Sequence, residues 1–440
     1  MHETKVVQFA RPPTQDDLDA LRAAGAVVEH VSAVTHQVII RLPHAAEGEI
    51  RAAADAIRAL DQVASLEDDF GVSVSLIDVA PLVAVAELWD RQPLPTGVGA
   101  TVLVEDARSN GTGIVIGVLD TGLDLNYPDF SGRIRGTLDL TGNVAGVQDG
   151  HGHGTHVAGI IGQNGLADRR YVGMAPGCAF RIYKVLADNG SGQATWIARA
   201  LELALADGCH VVNLSLGGPG SGPGPDFLER MVNAVVARGL IVCVASGNDG
   251  PATPYRQSPG RAARAITVGA TTKRDAVASF TSRGITDDGR GKPNVYAPGQ
   301  GIGAARSSTG RMGTAINPVI TTASGTSMAT PVIAGLVACL LSADPALRGA
   351  AAIVKALCQT RGKDLGLEGP RVDAPALANR PYPDAAAGED RRPGNPRPPG
   401  ESPCEELLML LEEFTPEERR QLARRAAPAV RRLARAVLDA

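Results

Sequence analysis

Thr321-Thr-Ala-Ser-Gly-Thr-Ser-Met-Ala-Thr-Pro331-Val-Ile-Ala-Gly335 is the stretch around which the chain is organised. A Gly-Thr-Ser-Met-Ala turn runs into Pro331, and the apolar run Val332 to Leu341 follows. Proline suits a first helical turn, where its missing N–H has no partner to lose. Ser327 is therefore expected at the mouth of a buried helix, where outward-pointing N–H groups and the macrodipole favour negative charge. Such a position suits a nucleophilic hydroxyl whose chemistry generates an oxyanion. Taken alone, the stretch is equally a small-residue helix start with a capping serine, so its meaning depends on the chain around it.

Upstream, apolar strands alternate with helical stretches. Strands are expected at 113–119, 180–186, 211–214, 240–245 and 265–268, with helices near 195–207 and 225–238. Alternation at this spacing predicts an α/β fold, a doubly wound parallel sheet covered on both faces. Functional groups then gather at the carboxyl ends of the strands. Asp120, Ser215 and Asn248 sit at or just past such ends.

Composition agrees with that fold. Hydrophobic residues make up 44% of 440 and aromatics only 3%, with 51 Gly and 30 Pro, which suits an Ala/Val/Gly core with many tight turns. A net charge of −4 leaves no footprint for nucleic acid or an anionic membrane. No apolar run approaches the ~18 residues of a membrane span, and the longest reads as a core helix. Six cysteines (Cys178, Cys209, Cys243, Cys339, Cys358 and Cys404) show no metal-ligand spacing, and most lie in apolar runs. The start Met-His-Glu-Thr-Lys has no basic-then-apolar leader, so a reducing cytoplasmic location is expected, with secretion the alternative if a signal stands ahead of it.

Four segments are expected. Residues 1–76 read as a small independent βαββαβ unit, a ferredoxin-like α+β sandwich: strands 5–9, 26–31, 37–42 and 63–66, helices 14–24 and 47–60. Residues 77–378 form the main domain, after an irregular junction with one short helix near Val85 to Asp90. Residues 379–402 are Pro, Gly and charge, a disordered linker. Residues 403–440 form a short helical tail, with an apolar face through Leu407, Leu411 and Phe414, a capping-box start at Thr415, and arginines from Arg419 to Arg435 opposite a second stripe. Such a stripe is ordinarily the inner face of a small bundle; the alternative is a surface for a protein partner.

The chemistry lies in the main domain. Asp120 ends a strand in Gly-Val-Leu-Asp-Thr-Gly-Leu-Asp, and His153 lies in Gly-His-Gly-His-Gly-Thr-His-Val-Ala-Gly, where an apolar helix begins at His156. Either residue alone is ordinarily structural. With Ser327 they supply a nucleophile, a base and a carboxylate to orient the base, in the chain order Asp, His, Ser. Asn248, in Val-Ala-Ser-Gly-Asn-Asp-Gly, is turn chemistry by itself and an oxyanion donor in this company. His151 completes no carboxylate–histidine metal spacing.

These motifs, with Asn-Leu-Ser-Leu-Gly-Gly from Asn213, resemble the subtilisin-family (subtilase, S8) serine endopeptidases over about Val83 to Ala378. The resemblance implies a subtilisin-like fold, a polypeptide substrate, an acyl-enzyme route, and Asp120, His153, Ser327 and Asn248 as the catalytic set. It implies substrate-binding edges at Ser215, Leu216 and Gly217 and at Gly190, Ser191 and Gly192, which would grip an extended peptide by β-augmentation. It makes the N-terminal unit a propeptide, the chain's own inhibitor, whose last strand is Val63 to Asp69 and which self-cleavage between about Phe70 and Leu76 removes. No cofactor is required by this resemblance. Asp129 matches a position that helps bind structural calcium in many relatives, while the loop Asn164 to Tyr171 does not match the rest of that site.

Departures from the family pattern are Val332 where His is usual, Tyr127 where His is common, and a longer Arg306 to Thr321, expected as an extra loop near the cleft. Asp249 beside Asn248, and Gln257 where a small residue often lines the primary pocket, point to a polar pocket that tolerates basic side chains. A self-processed zymogen is the leading expectation. A silent peptide-binding scaffold would not need the full catalytic set, and a protease recruited through its tail is the remaining alternative.

Overall fold

In a computed structural model of the chain, residues 3–42, 47–68, 71–73, 110–360, 362–363 and 369–372 are described. The N-terminal unit consists of β1 (Glu3–Phe9), α1 (Gln15–Ala23), β2 (Val27–Val31), β3 (Gln37–Leu42), α2 (Glu47–Arg58) and β4 (Val63–Asp68). Its antiparallel sheet runs β2-β3-β1-β4. The βαββαβ order is the expected one, and the ends follow local chemistry: Thr14 caps α1 in a capping box with Asp17. A short strand, β5 (Gly71–Ser73), follows.

The rest is built on one large sheet. In chain order come β6 (Val115–Asp120), β7 (Ile134–Asp139), α3 (His153–Gly162), β8 (Ala179–Lys184), β9 (Ser191–Gln193), α4 (Ala194–Ala206), β10 (Val211–Leu214), β11 (Gly218–Pro219), α5 (Phe227–Ala237), β12 (Ile241–Ala245), β13 (Gln257–Ser258) and β14 (Ile266–Thr271). A strand at Val295–Pro298, α6 (Thr326–Ala343) and α7 (Ala351–Thr360) complete it. The parallel strands lie in the order β7-β8-β6-β10-β12-β14-(Val295–Pro298), extended at that edge by Arg371–Val372. Helices α3 and α6 pack together on one side and α4 and α5 on the other. Buried strands such as β12 and β14 are apolar or small at every position because both faces are covered.

α6 differs from expectation at its start. It begins at Thr326, so Pro331 is its sixth residue and lies inside the helix rather than in its first turn. Proline there deprives the Ser327 carbonyl of its donor four residues on. The Ser215 hydroxyl supplies the missing bond at 2.7 Å. α6 is also the one helix among the described residues long and apolar enough to cross a membrane, and it is buried as the core helix.

β7, half-exposed with alternating burial, carries too mixed a text to be read as a strand from sequence. The stretch 306–321, expected as an extra loop, leads from a strand at Ile302–Ala305 into its partner at Ile320–Ala323 and itself carries a short strand, Thr314–Ala315, that pairs with the latter. The helix expected near Val85 to Asp90, the boundaries at 76 and 378, the linker 379–402, the tail 403–440 and Cys404 lie outside the described residues. The five described cysteines are buried and unbridged.

The N-terminal unit does not stand by itself. Val7, Phe9, Val38, Ile40 and Leu42 pack with Leu21 and Ile57 in the unit's own core, while Val6 and Ile39 on the other face join the large core. Carboxylates fix the seam. Glu202 of α4, nearly buried, accepts from Ser32 Oγ (2.5 Å) and Val34 N (2.9 Å) and pairs with His30. Glu67 of β4 accepts from the first N–H of α5, Phe227 N (3.1 Å), and pairs with Arg230. A carboxylate at a helix N-terminus is favoured by the exposed donors and the dipole there.

Two outcomes are expected. A hydrogen bond to a buried charge contributes about 1.5–3 kcal/mol, so Glu202→Ala should raise amide exchange in β1–β4 about tenfold or more; unchanged exchange would show that Glu202 does not hold the seam. In α3, burial and the neighbouring His153 push the His156 imidazole down to about 4 from 6.5. The folded state thus binds fewer protons between these values, and His156 contributes stability that is complete above pH 6.5 and lost as pH falls toward 4, up to ~3 kcal/mol. Urea midpoints should fall more steeply with acid in wild type than in His156→Gln, and parallel curves would refute this.

Candidate active site

The chain leaves β6 toward β7 and β8 on one side and later returns to place β10 on the other, so β6 marks the point where strand order reverses. Open α/β sheets bind their ligands at the carboxyl ends of strands beside such a point. Asp120 is the last residue of β6 and is buried. Its Oδ1 accepts from Thr121 N (2.7 Å) and lies 2.6 Å from His153 Nδ1. His153, also buried, is the first residue of α3, three residues earlier than the helix start expected at His156. Gly154 permits the approach of helix to strand end: a Cβ there would lie 2.2 Å from Gly122 O. Asp120 Oδ2 and His153 Nε2 have no hydrogen-bond partner among the described residues.

Ser327, second in α6, is bound to the segment after β10 by a reciprocal pair. Its Oγ donates to Ser215 O (3.0 Å), and Ser215 Oγ donates to Ser327 O (2.7 Å). Asn213 Nδ2 donates to Ser215 Oγ at 2.9 Å. The Ser327 hydroxyl is therefore not on His153 here, and rotation about Cα–Cβ is what would free it. The Ser327 N–H lies in the first turn of the helix, where the helical ladder offers it no carbonyl. Asn248 Oδ1 accepts from Thr326 N (2.8 Å) and Thr326 Oγ1 (3.1 Å), so the amide faces the head of α6 with its oxygen and carries Nδ2 on the other side.

Asn248, Ser327, Leu216, Gly217, Asp249 and Gln257 are among the residues around a pocket of about 160 Å³. Gln257 Nε2 donates to Asp249 Oδ2 at 2.7 Å, so the two polar residues expected here meet. Beyond Gly217 the chain enters β11, which pairs antiparallel with β13. The opposite edge begins at the turn residue Gly190 (φ 79°) and continues through Ser191 and Gly192 in β9. This edge is already paired: Gly71, Val72 and Ser73 lie antiparallel to Gln193, Gly192 and Ser191.

Asp129 does not fit a calcium site. Its carboxylate accepts from Gly165 N (2.5 Å), Leu166 N (3.1 Å) and Ala167 N (2.8 Å), and its carbonyl accepts from Arg133. Donor N–H groups and a guanidinium surround it where a cation needs oxygen ligands. No group of three or more acidic, His or Cys side chains with metal-binding geometry occurs among the described residues.

Sequence reasoning missed three participants. Ser215 was expected only as edge backbone, yet its hydroxyl satisfies the carbonyl that Pro331 orphans. Lys184, buried at the end of β8, bonds the Thr121 carbonyl and Asp188 (2.7 Å). Asp149 is buried just ahead of α3. Its available signal was an aspartate three residues before a glycine N-cap, a helix start with no side chain of its own to cap it.

A profile of the subtilase family matches residues 111–375, more than half of the chain. Serine protease AprX of Bacillus subtilis (strain 168) is 35% identical over 260 residues, covering 54% of this chain and 59% of AprX. Subtilisin Savinase of Lederbergia lenta is 37% identical over 237 residues, covering 53% of this chain and 78% of Savinase. The chain thus spans less than two thirds of the length of AprX. Among solved structures, fervidolysin from Fervidobacterium pennivorans, a keratinolytic enzyme related to subtilisin, aligns with a TM-score of 0.67 at 22% identity over 87% of this chain and 62% of that one, a likeness of fold. By the extent of the family match, and by the sheet and helices that carry it, the protein is a member of the subtilase family of serine peptidases.

Proposed function

We propose that the chain is a serine endopeptidase made as a zymogen, with residues 1 to about 76 as the inhibiting propeptide. The observation that carries this reading is the pairing of Gly71–Ser73 with Ser191–Gln193. A segment of the chain lies as an added strand on the edge where an extended peptide substrate would bind. The seam through Glu202 and Glu67 holds the unit from which that segment leads.

In this mechanism the Ser327 hydroxyl turns from Ser215 O to His153 Nε2, which takes its proton as Oγ attacks the peptide carbonyl. The proton then passes to the leaving amine, and water hydrolyses the acyl-enzyme. Asp120 holds the imidazole tautomer through Nδ1 and stabilises the charge it acquires. The Ser327 N–H and Asn248 Nδ2 hold the oxyanion. Asp249 and Gln257 favour polar or basic side chains in the primary pocket.

Intact mass of purified wild type beside Ser327→Ala is the direct test. Loss of about the first 70 to 76 residues in wild type alone is expected; full-length mass in both, with no hydrolysis of a peptide substrate, would overturn the reading. Asn248→Ala, in processed enzyme, should lower kcat by roughly 10²–10³-fold with little change in KM, the range known for such a deletion in subtilisin. A loss confined to KM would remove Asn248 from the oxyanion site.

A further inference from the structure

Asp149 is fully buried, yet its bonding partners are N–H and O–H groups rather than a cation. Oδ1 accepts from Thr121 Oγ1 (2.8 Å), Gly152 N (2.7 Å) and His151 N (3.2 Å). Oδ2 accepts from Thr155 N (2.8 Å) and Thr155 Oγ1 (2.7 Å). A buried carboxylate is costly unless its lone pairs are satisfied, and here five donors do so. The donors come from the start of α3, from His151 just ahead of it, and from the residue after β6. Gly152 and Thr155 are the N-cap and third residue of α3, whose glycine cap, at φ 104°, offers no side chain. Thr121 is the residue after β6.

Thr121 closes the arrangement. The same Oγ1 that donates to Asp149 accepts from Gly154 N at 2.9 Å. The end of β6 and the first turn of α3 are thereby joined on both sides of the Asp120–His153 contact. Thr121 adjoins Asp120 in the chain, and Gly152 and Gly154 flank His153. The Asp149 carbonyl accepts from Ser307 Oγ (2.7 Å) and Thr309 Oγ1 (2.9 Å), and His151 O accepts from Arg311 N (3.1 Å) and Met312 N (3.2 Å). The longer 306–321 stretch thus braces the loop that carries Asp149.

We propose that Asp149 is a positioning residue for the Asp120–His153 pair: it caps α3 from outside the helix and ties it to the end of β6, and so sets the geometry of that hydrogen bond. The proposal rests on the serine-peptidase reading for its kinetic consequence and on geometry alone for its spectroscopic one. Asp149→Asn keeps the size of the side chain but turns an NH₂ toward Thr155 or toward Thr121, so one of the two ties opens. Reacting groups displaced by about 1 Å can cost on the order of 10²-fold in rate.

The test uses the full chain and, for kinetics, a peptide amide substrate. Asp149→Asn should lower kcat tenfold or more with KM within about twofold, because the alignment matters for the reacting state and not for substrate binding. In an Asp120→Asn background the same substitution should cost less than about twofold, since the contact it serves is already lost. Equal losses in both backgrounds would overturn the proposal and leave Asp149 a stabilising residue only. In the Ser327→Ala protein, the far-downfield proton resonance of the His153 Nδ1–H should broaden through water exchange on Asp149→Asn; an unchanged resonance would overturn the proposal whatever the kinetics. Thr121→Val leaves Asp149 in place, removes both bonds of the Thr121 hydroxyl and should move each readout in the same direction, which keeps the test decisive if Asp149→Asn fails to fold. Absence of peptidase activity in wild type would sink the functional reading, and the resonance would still decide the role of Asp149.

Discussion

The buried hydrogen bond of 2.6 Å between Asp120 and His153 places the strongest demand on this structure. It joins a carboxylate at the end of a strand to an imidazole at the head of a helix, and both are removed from water. Neither element determines where the other lies. Glycine at 154 lets α3 approach the strand end closely, and the hydrogen bond that Gly154 N donates to Thr121 Oγ1 helps hold it there. In a low-dielectric interior such a network is worth having only when every member is satisfied. Asp120 Oδ2 and His153 Nε2, which have no hydrogen-bond partner among the described residues, belong to the pair on which the proposed chemistry depends.

The head of α6 solves a related problem differently. Pro331 interrupts the helical ladder, and the carbonyl it leaves unpaired belongs to Ser327. A hydroxyl from the segment after β10 fills that gap, while the Ser327 hydroxyl returns a bond to the same residue. One pair of bonds thus ties the helix carrying the expected nucleophile to the strand expected to line the substrate. Asn248 is fixed by the same helix head, because its oxygen takes the first free N–H of α6. Site residues from the segments after β10 and β12 and from α6 are therefore tied together through backbone groups.

Much of this was legible in the sequence because it is local. The helix start at Thr14 and the apolar runs of β10, β12 and β14 are set by residues a few positions apart. The motifs around Asp120, His153, Asn248 and Ser327 were readable for the same reason, since each is a strand end or helix start with its own turn chemistry. The expected edges at 190–192 and 215–217 could be named, and so could the stretch near Phe70 to Leu76 that would leave the N-terminal unit. That residues 71–73 pair with 191–193 joins positions about 120 apart, and no local pattern carries such information.

Local sequence specifies the set of elements and the chemistry carried at their ends: the helix starts, the apolar strands and the Asp, His, Ser order. How those ends meet is settled by long-range packing. Asp129 looked like a calcium ligand in sequence and is instead filled by three backbone N–H groups of a loop some 36 residues away. The N-terminal unit looked self-sufficient, yet Val6 and Ile39 are buried against the large domain. Asp149 stood in sequence only as an aspartate ahead of a helix start, yet it gathers five donors from Thr121, His151, Gly152 and Thr155. The physical reason is common to all three. Hydrogen bonds and burial act over a few ångströms in space, and folding alone determines which distant residues come within that range.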